Sequence, residues 1–171
     1  MKSRQIALCG MLNALAVVLL SFGGLIPIAT YCAPLLAMAV LLPVLEEYGG
    51  RMALAAWVSV SILALLLTPD RETALVYVFF GWYPVLRPHI ARIPSKAVRL
   101  IIKLAVANGM ILLLYGLVLR LMGLTADLLE GTALLNFGLL LTGNAVFLLL
   151  DKALERLTFL WRRKFRKHFF H

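Results

Sequence analysis

Glu46, Glu47 and Arg51, set in the stretch LEEYGGR, are the residues of this 171-residue chain whose types and spacing come nearest to a catalytic set. Paired carboxylates serve general acid/base chemistry when a second group holds or returns the proton. The histidines that would do so are His89, His168 and His171, all far along the chain. Gly49 and Gly50 also interrupt the helix that would present the pair. His-Glu-x-x-His, Gly-x-Ser-x-Gly and phosphate-cradling glycine loops do not occur in the sequence. Cys9 and Cys32 lie in or beside apolar runs with no His or Cys at ligand spacing, so they read as packing residues and no metal site is expected.

EEYGGR is similar to the Glu-Glu-x-x-x-Arg element of intramembrane prenyl-protein proteases, whose glutamates work with Phe-x-x-x-His and His-x-x-x-Asn/Asp motifs on later helices. Neither of those spacings occurs here. The expected role of Glu46, Glu47 and Arg51 is therefore ordinary helix-end charge on an inner loop, with no catalytic residue and no cofactor. The protein is not expected to be an enzyme.

The elements that must carry these residues follow from composition. The chain is 63% hydrophobic and 15% charged, with a mean hydropathy of +0.95, against about 45–50% and about 25% in a soluble domain. Its apolar residues gather into blocks near the roughly 20 residues that cross a bilayer. The expectation is one all-α integral membrane domain over residues 1–171, a bundle of six spans near 6–28, 31–47, 52–68, 73–90, 98–122 and 133–153. Gly23-Gly24 with Pro27, Gly49-Gly50, Pro69, Pro88 with Pro94, and Gly123 through Gly131 mark the breaks. The opening MKSRQIALCGMLNALAVVLLSFGG has the outline of a signal peptide. Its apolar run continues through Leu25, Ile26 and Ile28, so it reads as a retained first helix.

With the N-terminus inside, all but Arg71 and Arg120 of the 17 Lys and Arg residues fall on the inner side, the imbalance that marks a cytoplasmic face. A missing or additional span would carry a basic segment outside, so both termini are expected in the cytoplasm. The net charge of +9 and pI near 10.1 then reflect topology. Nucleic acid is not an expected partner, because no soluble domain presents the basic residues. Residues 154–171 read as a basic, aromatic interfacial tail in which Trp161, Phe165 and Phe169 stand four apart. Such a tail lies along an anionic inner leaflet or simply anchors the topology.

Polar residues at membrane depth face protein or water. Asn13, Asn108 and Asn144 each lie roughly 10 Å from the inner end of a span at about 1.5 Å per residue. They can meet as interhelical glue or as the polar floor of a cavity. On the outer side collect Tyr31, the triplet Asp70, Arg71 and Glu72 in PDRE, Tyr77, Arg120, Asp127, Glu130 and Asn136. These form the rim of a ligand mouth in one reading. In the other, the triplet is a solvated turn in which Pro69 ends span three and Asp70 caps span four. In GMLNA, Gly10 and Ala14 share one helical face beside Asn13 and allow another helix to approach closely, within the bundle or from a partner.

With its length of about 170 residues, its six spans and a small-x-x-x-small first helix beginning IALCGMLNALAVVLL, the chain resembles the substrate-binding S subunits of energy-coupling factor (ECF) vitamin transporters. The resemblance implies a membrane-embedded subunit of an importer for a small polar or vitamin-like molecule, working with a transmembrane coupling subunit and ATPase subunits in a bacterial cytoplasmic membrane. It implies that Gly10 and Ala14 dock on the coupling subunit, that SFGGLIPIATY is a lid and that PDRE belongs to the rim. Gly10 replaces one of the family's usual alanine pair, and Asn13 beside it departs from the pattern. The alternative reading is a membrane scaffold or assembly partner without transport.

Overall fold

The computed structural model describes residues 2–23, 29–122, 133–161 and 163, and the regular structure among them is helical throughout. In chain order the helices are α1 (Lys2–Gly23), α2 (Ala29–Tyr48), α3 (Gly50–Leu67), α4 (Arg71–Phe80), α5 (Tyr83–Ala91), α6 (Lys96–Met122) and α7 (Ala133–Leu160). Three stretches, Gln5–Gly23, Gly50–Leu67 and Lys96–Leu114, are long and apolar enough to cross a membrane. Their outward faces are as apolar as their inward ones: Met11, Leu66 and Ile101 expose 75%, 76% and 65% of their surface. A helix that is apolar all round needs lipid or protein on every side. The chain is all-helical among its described residues, with helices of the length and composition that fit a membrane protein.

The helices divide into two compact units, Met1–His89 with Leu154–His171, and Ile90–Ala153. In the first, α1 lies along α2, both pack on α3, and α4 closes against α2 and α3. The core of this unit is built from the fully buried side chains of Leu20, Met38, Val44, Val60, Tyr77 and Tyr83. Small residues set how closely the helices approach. A Cβ on Gly23 would lie 2.7 Å from Thr73 Cγ2 and 3.2 Å from Ala33 Cβ, so the end of α1 sits directly on α2 and α4. One residue separates α2 from α3: Gly49, at φ 84° and ψ 175°, a conformation essentially reserved for glycine. The Gly-Gly break expected after Glu46 and Glu47 is this turn.

In the second unit α6 and α7 run antiparallel. Ile111 lies beside Gly143, where an added Cβ would be 3.3 Å from Ile111 Cδ1. Asn108 meets Asn144 and Lys103 meets Asp151. Residue numbers rise on one helix as they fall on the other.

Two expectations are corrected. The span expected over 73–90 is two helices, α4 and α5, broken at Gly81 and Trp82. The break is where Gly81 takes the Trp57 ring against its Cα: a Cβ there would be 2.7 Å from Trp57 Cδ1 and 2.5 Å from the Tyr77 carbonyl. Just beyond it, Pro84 and Pro88 have no N–H for the helical ladder. The last helix runs without a break to Leu160, past the end expected near 153. Lys103, inside the span expected over 98–122, lies in the interior of α6. Charges were read as ends of helices, but a charge with a partner on a neighbouring helix is carried within one.

Candidate functional site

The charged triplet begins where α3 stops. The Thr68 N–H donates to the Ala64 carbonyl at 2.9 Å, and Pro69 follows. Asp70 then caps α4: its Oδ1 accepts from the Glu72 N–H at 3.0 Å and its Oδ2 from the Thr73 hydroxyl at 2.6 Å. The cap satisfies a donor that the first turn leaves without a helical partner, and the Glu72 carboxylate favours the positive end of the helix dipole. Both Asp70 oxygens are thus turned onto the chain's own helix. Arg71 and Glu72 stand exposed. Of the two readings of PDRE, the helix cap describes Asp70.

Tyr77 belongs to a different setting. Its side chain is fully buried, and its hydroxyl has no hydrogen-bond partner among the described residues. Trp57 Nε1, Ser61 Oγ and Thr68 Oγ1 are buried on α3 in the same condition. Residues 57, 61 and 64 share one face of α3, which Thr68 follows as its C-terminal cap, and the buried residues of α3 and α4 include Ala56, Val60, Ala64 and Ala74. An unpartnered buried hydroxyl or N–H costs about 1–3 kcal/mol. Trp57, Ser61 and Thr68 were not singled out from the sequence, yet the 4-3-4 spacing of residues 57, 61, 64 and 68 in an apolar helix is the signal that carries them.

On α1, Gly10 and Ala14 are exposed and nothing lies within 4 Å of a Cβ built on Gly10. No helix of the described chain occupies that position. The close packing expected there within the bundle is absent among the described residues, because Cys9, Ala16, Val17 and Leu20 on the other side of α1 face the core. Asn13 is half-buried, with Oδ1 buried and lacking a hydrogen-bond partner. Glu46 and Glu47 lie half-buried in the last turn of α2, and Arg51 is exposed in the first turn of α3.

The second unit brings two expected residues together. Asn144 Nδ2 donates to Asn108 Oδ1 at 3.0 Å and to its own helix at the Leu140 carbonyl at 2.9 Å. The two amides line a shallow, open groove with Leu112, Leu140 and Leu141. Farther along the same helices, the Lys103 ammonium is ion-paired with Asp151, the one buried charged side chain among the described residues. Sequence reading missed this pair, although Asp151 ends the run FLLLD and Lys103 interrupts RLIIKLA. In the first unit, Arg87 of α5 pairs with Glu155 of α7 at 3.5 Å.

Asp127 and Glu130 lie outside the described residues, as do residues 162 and 164–171 of the tail and residues 24–28 of the expected lid. The side chains of Tyr31, Arg120 and Asn136, which sit in described helices, are likewise outside the description. Arg163, within the tail, lies over the Phe159 ring at 5.6 Å, a cation–π contact that joins a basic to an aromatic residue. Comparison of the chain with protein-family models, with curated proteins and with solved structures finds no match.

Proposed function

We propose that this protein is the substrate-binding subunit of an energy-coupling factor-like importer, taking up a small polar or vitamin-like molecule across the bacterial cytoplasmic membrane. In this reading the chain makes six crossings, α4 and α5 together forming the fourth, with both termini in the cytoplasm. It has no enzymatic activity of its own, and it works with a transmembrane coupling subunit and ATPase subunits. Tyr31, Arg71, Glu72, Arg120, Asp127 and Asn136 belong to the outer rim.

The observation that supports the reading is the open small-residue face of α1. Among the described residues nothing lies within 4 Å of a Cβ on Gly10 and Ala14 is exposed, and two backbones approach most closely at such residues. Purification from native membranes tests it. Wild-type protein brings down a transmembrane subunit together with ATPase subunits, and Gly10→Leu with Ala14→Leu loses both while its melting temperature holds. Recovery of the same ATPase complex with the double variant sinks the docking role. A scaffold without transport would use the same face, and it predicts a partner but no ATP-dependent uptake in reconstituted vesicles.

A further inference from the structure

We infer that the seam between α3 and α4 is a binding site for a small, uncharged polar guest, held by Trp57, Ser61 and Tyr77. The inference takes its guest from the importer reading, while the site stands on the geometry of the seam alone.

The contact of Gly81 with Trp57 fixes the register of the two helices: a Cβ on Gly81 would lie 2.9 Å from Trp57 Nε1. The helices are joined through residues 68–70, so they run antiparallel. Four residues along, about 6 Å by the helical rise, α3 reaches Ser61 and α4, counted back from Gly81, reaches Tyr77. Ser61 and Tyr77 therefore share a level, one turn outward from Trp57. An indole N–H and two hydroxyls fall within about one helical turn of each other, all buried and all without a hydrogen-bond partner among the described residues. Native interiors leave few such groups unpaired, and a cluster of them on one seam marks a place where another molecule completes the bonds.

The chemistry of the cluster selects the guest. The indole N–H only donates, whereas each hydroxyl donates and accepts. The guest thus carries an acceptor such as a carbonyl oxygen, together with a donor. The other buried residues of α3 and α4 are Ala53, Ala56, Val60, Ala64, Thr73 and Ala74, and α2, which packs on both helices, buries Ala37, Met38 and Leu41. No charged side chain is buried among α1–α4 in the described residues. An ion placed there would be left uncompensated, so the site rejects charge. The alanines keep α3 and α4 free of bulk along their buried faces.

With Trp82→Phe and Trp161→Phe, Trp57 is the sole tryptophan and reports on the seam in detergent-solubilised protein. Acetamide, a neutral probe with one carbonyl and one amide, gives a saturable change in Trp57 emission, and acetate gives none. Tyr77→Phe and Ser61→Ala each weaken acetamide binding by about tenfold, as the loss of a buried hydrogen bond would, while the melting temperature of the free protein holds or rises, since an unpartnered buried hydroxyl is removed. Should Tyr77→Phe fail to fold, Ser61→Ala carries the test. No saturable response to acetamide, an equal response to acetate, or full affinity in the folded variants overturns the site. A protein that retains acetamide binding but recruits no ATPase complex keeps the seam and loses the importer. One that recruits the complex with no acetamide response keeps the importer and loses the seam.

Discussion

Lys103 of α6 and Asp151 of α7 form an ion pair with side chains only 16% and 6% exposed, the described ion pair in which both charges are withdrawn. Each charge lies inside a helix rather than at its end, and each is tolerated because the other is there. Removing one partner strands the other, at about 3–5 kcal/mol for a buried pair. Lys103→Met and Asp151→Asn are each expected to lower stability by that order in a detergent melt. The exchange Lys103→Asp with Asp151→Lys restores most of it. A double exchange as unstable as the single variants would show that the charges do not act through each other.

The amide bond from Asn144 to Asn108 is a weaker tie between the same helices. Interhelical hydrogen bonds in membranes average about 0.6 kcal/mol. A double-mutant cycle of Asn108→Ala and Asn144→Ala should return a coupling energy of that size. Loss of substrate uptake with stability intact would instead give the two amides a place in the transport path.

The glycines separate by what surrounds them. Gly81→Ala places a methyl group 2.7 Å from Trp57 Cδ1 and 2.5 Å from the Tyr77 carbonyl, an overpacking expected to cost about 1–3 kcal/mol. Gly10→Ala meets nothing within 4 Å and should raise helix stability by up to about 1 kcal/mol. Thermal unfolding of the two variants in parallel measures the contrast, and equal shifts would contradict it.

Asp70→Ala removes the cap of α4 and should cost about 1 kcal/mol. Arg71→Ala and Glu72→Ala, on exposed side chains, should leave the melt nearly unchanged. If those two carry the rim role, their effect appears in the rate of ligand association, and it shrinks as salt is raised. Rates indifferent to both variants and to salt would leave the triplet as a turn.

Reporter fusions check the six-crossing topology. Fusions after residues 50, 94 and 171 should report the cytoplasm, and a fusion after residue 69 the outside. An active external reporter at residue 171 would overturn the count of spans.

The helical class and the membrane setting were legible from composition, because runs of apolar residues near bilayer length admit few other structures. The Gly49 turn was legible for a similar reason: two adjacent glycines after an apolar run end a helix whatever surrounds them. The cap at Asp70 was legible as one of two alternatives, since Pro and Asp before a helix have a local geometry of their own.

What lay beyond the sequence depended on neighbours distant in the chain. The split of α4 from α5 takes place where the Trp57 ring, 24 residues back, lies against Gly81, and no local pattern announces that approach. The pairing of Lys103 was not legible because its partner is 48 residues away on another helix. Tyr77 lies one turn from the outer connector, and only the packed structure shows that its side chain is fully buried. The sequence by itself determined which segments are helical and that they live in lipid, through local backbone preference and the average cost of apolar surface. Only the tertiary structure decided which polar groups face one another, because that depends on the register of packed helices, and a shift of one residue rotates a side chain by about 100° around its axis.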